Sequence, residues 1–320
     1  MRPILLGILA AFFFAFTFVL NRSISLSGGS WMWSASLRYF FMVPLLLLLV
    51  GRHHLKPLWA EIRRAPGAWL LWSTVGFGLF YAPLCFASDY SPGWLIAGTW
   101  QITILSGSLL APLFKQEKDG VPVRGRIPWG GLGFSLIILA GIVLIQAEHF
   151  SWEDPSALWL GFLPVLLASF AYPLGNRKMM DVCGGRLSAP QRLLGMTLLS
   201  LPFWLLLAAG GWVQSGLPSS GLVMQSALVA VLSGIIATAL FFQATDAVRG
   251  DMQKLSAVEA TQSLEVLFAV IGEVILLSAP LPALWGWLGM GLICLGMAAQ
   301  SLWTVRAARR SKRLTPPLSG

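Results

Sequence analysis

The chain has 320 residues, of which 56% are hydrophobic and only 11% charged, and its mean hydropathy is +0.74. An ordinary soluble domain carries roughly 25% charged residues, so that class is excluded. The formal net charge of +9 does not signal nucleic acid: of the 22 Lys and Arg, all but Arg22 and Arg38 fall at alternate connections between apolar segments, which is a topology signal.

Ten apolar segments follow one another, each near the roughly 20 residues a helix needs to cross the hydrocarbon of a bilayer. They are continuously apolar rather than alternating, which predicts helices and excludes a membrane barrel. The first, 4–20, follows a basic start and could pass for a signal peptide; an echo of it deep in the chain makes it a structural span. The second, 31–50, carries Arg38 one or two turns in, and the connection 51–65 after it is basic. The third, 68–87, holds Tyr81, and the fourth, 94–114, holds Trp100 and Gln101 midway. A basic connection at 115–126 leads to the fifth, 127–147, whose small residues Gly130, Gly133 and Gly141 suit close helix packing. The acidic stretch 148–155 is the seam of the chain. Beyond it come the sixth segment, 156–175, with Tyr172, a basic connection at 176–192, the seventh at 193–212 and the eighth at 222–244. The ninth, 255–277, contains Glu259, Gln262, Glu265 and Glu273; the tenth, 284–304, runs into a basic tail, 305–320, expected to be disordered. Because the basic connections alternate, both termini are expected in the cytoplasm.

The second half repeats the first about 155 positions later. Leu6-Gly7 through Asn21-Arg22 recurs as Leu160-Gly161 through Asn176-Arg177, and Arg38 recurs as Arg192. Ala87-Ser88-Asp89 with Gly93 recurs as Ala244-Thr245-Asp246 with Gly250, and Trp129-Gly130-x-Leu132-Gly133 as Trp285-Gly286-x-Leu288-Gly289. Two copies of an odd number of spans enter the bilayer from opposite sides, so the expected fold is an all-α membrane protein of two inverted five-helix repeats, 1–150 and 151–304. Inverted repeats of this kind are characteristic of secondary transporters.

An ionised acid at the bilayer centre costs roughly 2.5–3.5 kcal/mol on insertion scales, so the three carboxylates of the ninth segment need a partner, water or a function. On a regular helix Glu259 and Glu273 return to within about 40° of one another while Glu265 lies about 120° from Glu259, so no single face serves all three. Glu265 lies nearest the midplane and is the expected proton-exchanging group, with Glu259 second; Glu273 is expected to orient helices, for example by pairing with an arginine such as Arg38. Arg38 itself reads as a gate or helix-orienting residue, with direct solute contact second, and it needs a carboxylate or carbonyl partner. Gln101, Gln262, Trp100, Tyr81 and Tyr172 are the expected cavity residues, the aromatics suiting an apolar or cationic solute. His53, His54 and His149 sit at connections without ligand-like neighbours, and no metal, cofactor or catalytic residue is expected.

These repeats resemble the drug/metabolite transporter superfamily, in its EamA-like ten-helix form, over 4–304, and the run Glu259-Ala-Thr-Gln262-x-x-Glu265 looks most like its multidrug resistance efflux transporter branch. The resemblance implies a central cavity lined by the first four helices of each unit, with the fifth and tenth peripheral, in a cell-membrane exporter of small organic solutes or lipophilic and cationic drugs. Protons as coupling ion and membrane lipids complete the expected partners. One departure matters: the small four-helix exporters couple through a glutamate in their first helix, whereas 4–20 and 156–175 contain no acid here. The alternative class is an intramembrane enzyme acting on lipid or lipid-linked substrates; it lacks a His, a Ser-His pair or a metal cluster at membrane depth.

Overall fold

The computed structural model describes residues 2–118, 121–125, 127, 129–150, 155–248 and 257–314. Among them nine helices are long and apolar enough to cross a membrane: Arg2–Leu26, Trp31–Val50, Pro66–Ala87, Leu132–His149, Leu158–Cys183, Ala189–Ser215, Ser220–Thr245, Ala257–Leu277 and Leu284–Trp303. The fourth segment differs from expectation. It is two eight-residue helices, Gly93–Trp100 and Ile102–Leu109, broken at Gln101. A short antiparallel ribbon, Lys115–Lys118 with Val121–Arg124, follows it at a basic connection. The last helix runs on from Leu284 to Leu314 and takes in much of the stretch expected as a disordered tail. Val305-Arg-Ala-Ala-Arg-Arg is composed mostly of strong helix formers, which continue a helix already nucleated by the membrane segment.

Each packing partner has a counterpart. The first segment packs against the eighth and ninth, and the sixth against the third and fourth; the second runs along the seventh, and the fifth along the tenth. Helical irregularities also recur. The third segment contains a π-helical stretch at Thr74–Gly78 and the eighth one at Ala230–Ala237. The fourth breaks at Gln101, and the ninth tightens into a 3-10 turn at Thr261–Ser263 around Gln262. Such insertions and tightenings leave backbone groups unpaired within the helix, which is tolerated at membrane depth where neighbouring protein or a cavity satisfies them.

Small residues set the closest crossings. A Cβ on Gly141 would meet the Gly289 carbonyl at 2.5 Å, and one on Gly289 would meet the Gly141 carbonyl at 2.6 Å, so the fifth and tenth segments touch backbone to backbone. Gly296 likewise faces Ile138, whereas a Cβ on Gly133 would meet nothing within 4 Å. The glycine pattern therefore marks a packing face at Gly141 but open space at Gly133.

At the basic end a short amphipathic helix, Leu55–Arg64, buries Leu58 and Ile62 and leaves its charges outside. Arg186 clamps its Glu61 through two hydrogen bonds, Nε to Oε1 at 2.7 Å and Nη2 to Oε2 at 2.8 Å. That clamp holds the Glu61 carboxyl below the usual carboxylate range. The contact is present at pH values above an ordinary glutamate's titration and is lost as pH falls through the depressed value.

The charge distribution makes the topology testable. Leu217 is 80% exposed at a connection without basic residues, and His53 is exposed among basic ones. In a background without Cys85, Cys183 and Cys294, a cysteine at 217 is expected to react with an impermeant thiol reagent on intact cells. A cysteine at 53 should react only after permeabilisation. The reverse labelling overturns the orientation.

Candidate functional site

A cavity of about 570 Å³ occupies the centre of the bundle. Every one of the first four and of the sixth to ninth segments contributes to its wall. The tenth, expected to be peripheral, also reaches it through Met297, Gln300 and Ser301 near its inner end. The lining runs from Thr17, Arg38 and Ser233 at depth to Arg177, Arg192 and the exposed Glu259 at the end that carries the basic connections. The opposite end is sealed: Asn21 Nδ2 donates to the Tyr81 hydroxyl at 3.1 Å and Ser34 Oγ donates to Asn21 Oδ1 at 2.9 Å, all three residues being buried. The sequence reading missed this cluster, although Asn21 stands in the repeated Asn-Arg pair, and an amide inside an apolar span is itself a signal.

Glu265, Glu259, Gln262, Gln101, Trp100, Tyr172 and Arg38 all lie on the cavity wall. Glu265 is 6% exposed and, among the described residues, has no hydrogen bond or ion pair. Glu259 shares the cavity with it, at a smaller angular separation than a regular helix gives. The 3-10 turn between them advances about 120° per residue instead of 100°, which closes their separation to about 60°. Gln262 and Gln101 spend their amides on backbone: Gln262 Nε2 donates to the Gly7 carbonyl and Gln101 Nε2 to the Ala97 carbonyl, both at 3.3 Å. Trp100 and Tyr172 form one aromatic wall with Phe80, with ring centroids 4.7 to 5.6 Å apart. Tyr81 is fully buried outside the lining, behind Arg38, whose Cζ sits 4.1 Å from its ring centroid.

Two pairings differ from expectation. Glu273 makes no ion pair with Arg38 or Arg192, although Arg22 is near enough to interact electrostatically; it is 1% exposed and accepts hydrogen bonds from the Gly93 amide at 2.6 Å and the Trp94 amide at 3.5 Å. It thereby caps the helix Gly93–Trp100, where a carboxylate satisfies orphan amides and opposes the helix dipole. Arg38, 7% exposed, donates through Nη2 to Ser233 Oγ at 3.2 Å, and no carboxylate among the described residues pairs with it. The acids that could have answered it sit elsewhere: Glu273 is held by the Gly93 and Trp94 amides, and Glu265 lies on the cavity wall without a bond to any described residue. Glu273→Gln keeps an acceptor oxygen and is expected to yield folded protein. Glu273→Leu leaves both amides unsatisfied at a cost of about 1–3 kcal/mol each and should lower the apparent Tm in detergent.

Residues 1–306 match the family described as "EmrE: Putative multidrug resistance efflux transporter". The "Uncharacterized protein YjlA" of Bacillus subtilis (strain 168) is 57% identical over 302 residues, covering 93% of each chain. A second relative, the "Uncharacterized 42.1 kDa protein in intracellular alkaline protease 3'region" of Shouchella clausii, is 50% identical over 267 residues, 83% of this chain and 70% of that one. A solved structure described only as "Crystal structure of protein" superposes with a TM-score of 0.61 at 15% identity, covering 95% of this chain and 98% of that one; the likeness concerns the fold.

Proposed function

The chain belongs to the EmrE-type multidrug resistance efflux transporter family, within the drug/metabolite transporter superfamily, and from that premise we propose that it is a proton-coupled secondary exporter of small organic solutes. It is a multi-pass protein of the cell membrane. On this reading the two halves are inverted repeats with cytoplasmic termini, and alternating access comes from rocking one set of helices against the other. Three features support that reading: the reciprocal packing of first with eighth and ninth and of sixth with third and fourth, the paired π stretches, and the paired breaks at Gln101 and Gln262.

The observation that carries coupling is Glu265, a buried carboxyl without a bonding partner among the described residues, on the wall of a solute-sized cavity. A carboxyl so placed can bind a proton when the cavity faces one side and release it on the other. The cavity in this structure opens at the basic end, which the charge rule assigns to the cytoplasm, and so corresponds to the loading state of an exporter. The test is flux into proteoliposomes under an imposed pH gradient, screened across amino acids, nucleosides and lipophilic cations. Gradient-driven uptake of at least one solute is expected, and gradient-independent equilibration of all of them overturns proton coupling.

A further inference from the structure

Resting on the exporter reading, a further question is the charge of the solute, and the informative residue is Arg38. Every other Lys and Arg except Arg22 lies at a connection where topology accounts for it. Arg22 sits at the sealed end and donates to the Ser88 carbonyl at 2.7 Å. Arg38 stands inside the bundle, more than nine-tenths buried, on the cavity wall. Its Nη2 reaches Ser233 Oγ, a hydroxyl that already bonds Thr17 Oγ1 at 2.5 Å. Among the described residues its Nε and Nη1 have no hydrogen-bond partner. The Arg38 Cζ lies 4.1 Å from the Tyr81 ring centroid, a cation–π contact that is not a hydrogen bond to Nε or Nη1.

A guanidinium is a planar fork of five donors, matched in shape to a carboxylate or phosphate. Burying it with its edge unsatisfied is unfavourable, and no acid among the described residues completes it. The cavity is the side from which an acceptor can come. We propose that the exported solute carries an oxyanion which docks on Arg38 at the deep end of the cavity, with its apolar body against Phe80, Trp100 and Tyr172. Arg177 and Arg192 line the same cavity toward its basic end and, with Arg38, outnumber its two acids, Glu259 and Glu265, so the charge of the lining also favours an anion. A lipophilic cation would instead place like charge beside an unneutralised arginine.

Three probes sharing one ring isolate the charge: 3-phenylpropionate, phenyl phosphate and 2-phenylethylamine, titrated calorimetrically into the purified protein in detergent. At least one of the acids is expected to bind and the amine to bind at least about tenfold more weakly. Which acid binds distinguishes a carboxylate solute from a phosphate ester. Arg38→Gln should weaken the acid about tenfold or more without weakening the amine, and Arg38→Lys should fall between, since lysine keeps the charge but not the fork. Should Arg38→Gln fail to fold, the wild-type comparison of acids with amine still decides. Binding of the amine with neither acid, binding of none of the three, or an acid affinity unchanged in folded Arg38→Gln each overturns the proposal. Equilibrium binding requires no flux, so this result and the proton-coupling result can fail separately.

Discussion

Glu265→Gln is expected to abolish uphill transport under a pH gradient, bringing accumulation down to the level of liposomes without protein. Glutamine preserves the shape of the side chain and a hydrogen-bonding head, so the cavity and its aromatic wall should persist while the exchangeable proton is lost. Solute binding and downhill counterflow should therefore survive, and that split separates a coupling role from a packing role. Glu273→Gln is the control: its carboxylate is engaged by the Gly93 and Trp94 amides, away from the cavity, and gradient-driven transport should be retained. Uphill transport by Glu265→Gln with the wild-type pH profile would transfer the coupling role to Glu259, the other acid on the cavity wall.

Gly175→Ala is expected to eliminate most folded protein, measured as the monodisperse fraction after detergent extraction. The added methyl would lie 2.3 Å from the Cα and 2.4 Å from the amide nitrogen of Gly76, and 3.0 Å from the Trp72 carbonyl. All three obstacles are backbone, so relief requires the third and sixth segments to separate where they form the cavity wall. Alanine improves intrinsic helix propensity by about 0.8–1.0 kcal/mol over glycine, which predicts the opposite sign if packing were absent. Gly133→Ala supplies that comparison, because a Cβ there would meet nothing within 4 Å, and its yield should equal or exceed the wild type. Equal yields for both variants would mean that the Gly76–Gly175 crossing does not set helix spacing.

The membrane class, the long apolar helices and the anomaly of Arg38 and Glu265 were legible in the sequence alone. Each rests on a one-dimensional quantity: the length of an apolar run, or an ionisable residue where hydrocarbon makes it costly. The sequence suggested a helix-orienting arginine partner for Glu273, whereas its carboxylate accepts from the Gly93 amide.

Partners and breaks were decided only in three dimensions. The regular-helix geometry that separated Glu259 from Glu265 did not hold, because the ninth segment tightens at Thr261–Ser263 and turns both acids toward one cavity. The break at Gln101 is equally unmarked in the sequence, since neither a proline nor a charge stands there and a regular helix accommodates a glutamine. The arginine expected to meet a carboxylate meets Ser233 and the Tyr81 ring, contributed by the eighth and third segments. Helix formation depends on local propensity and length, which a single segment carries within itself. The identity of a buried group's partner depends on which distant segment crosses at the same depth, and that is fixed by the packing of the whole bundle.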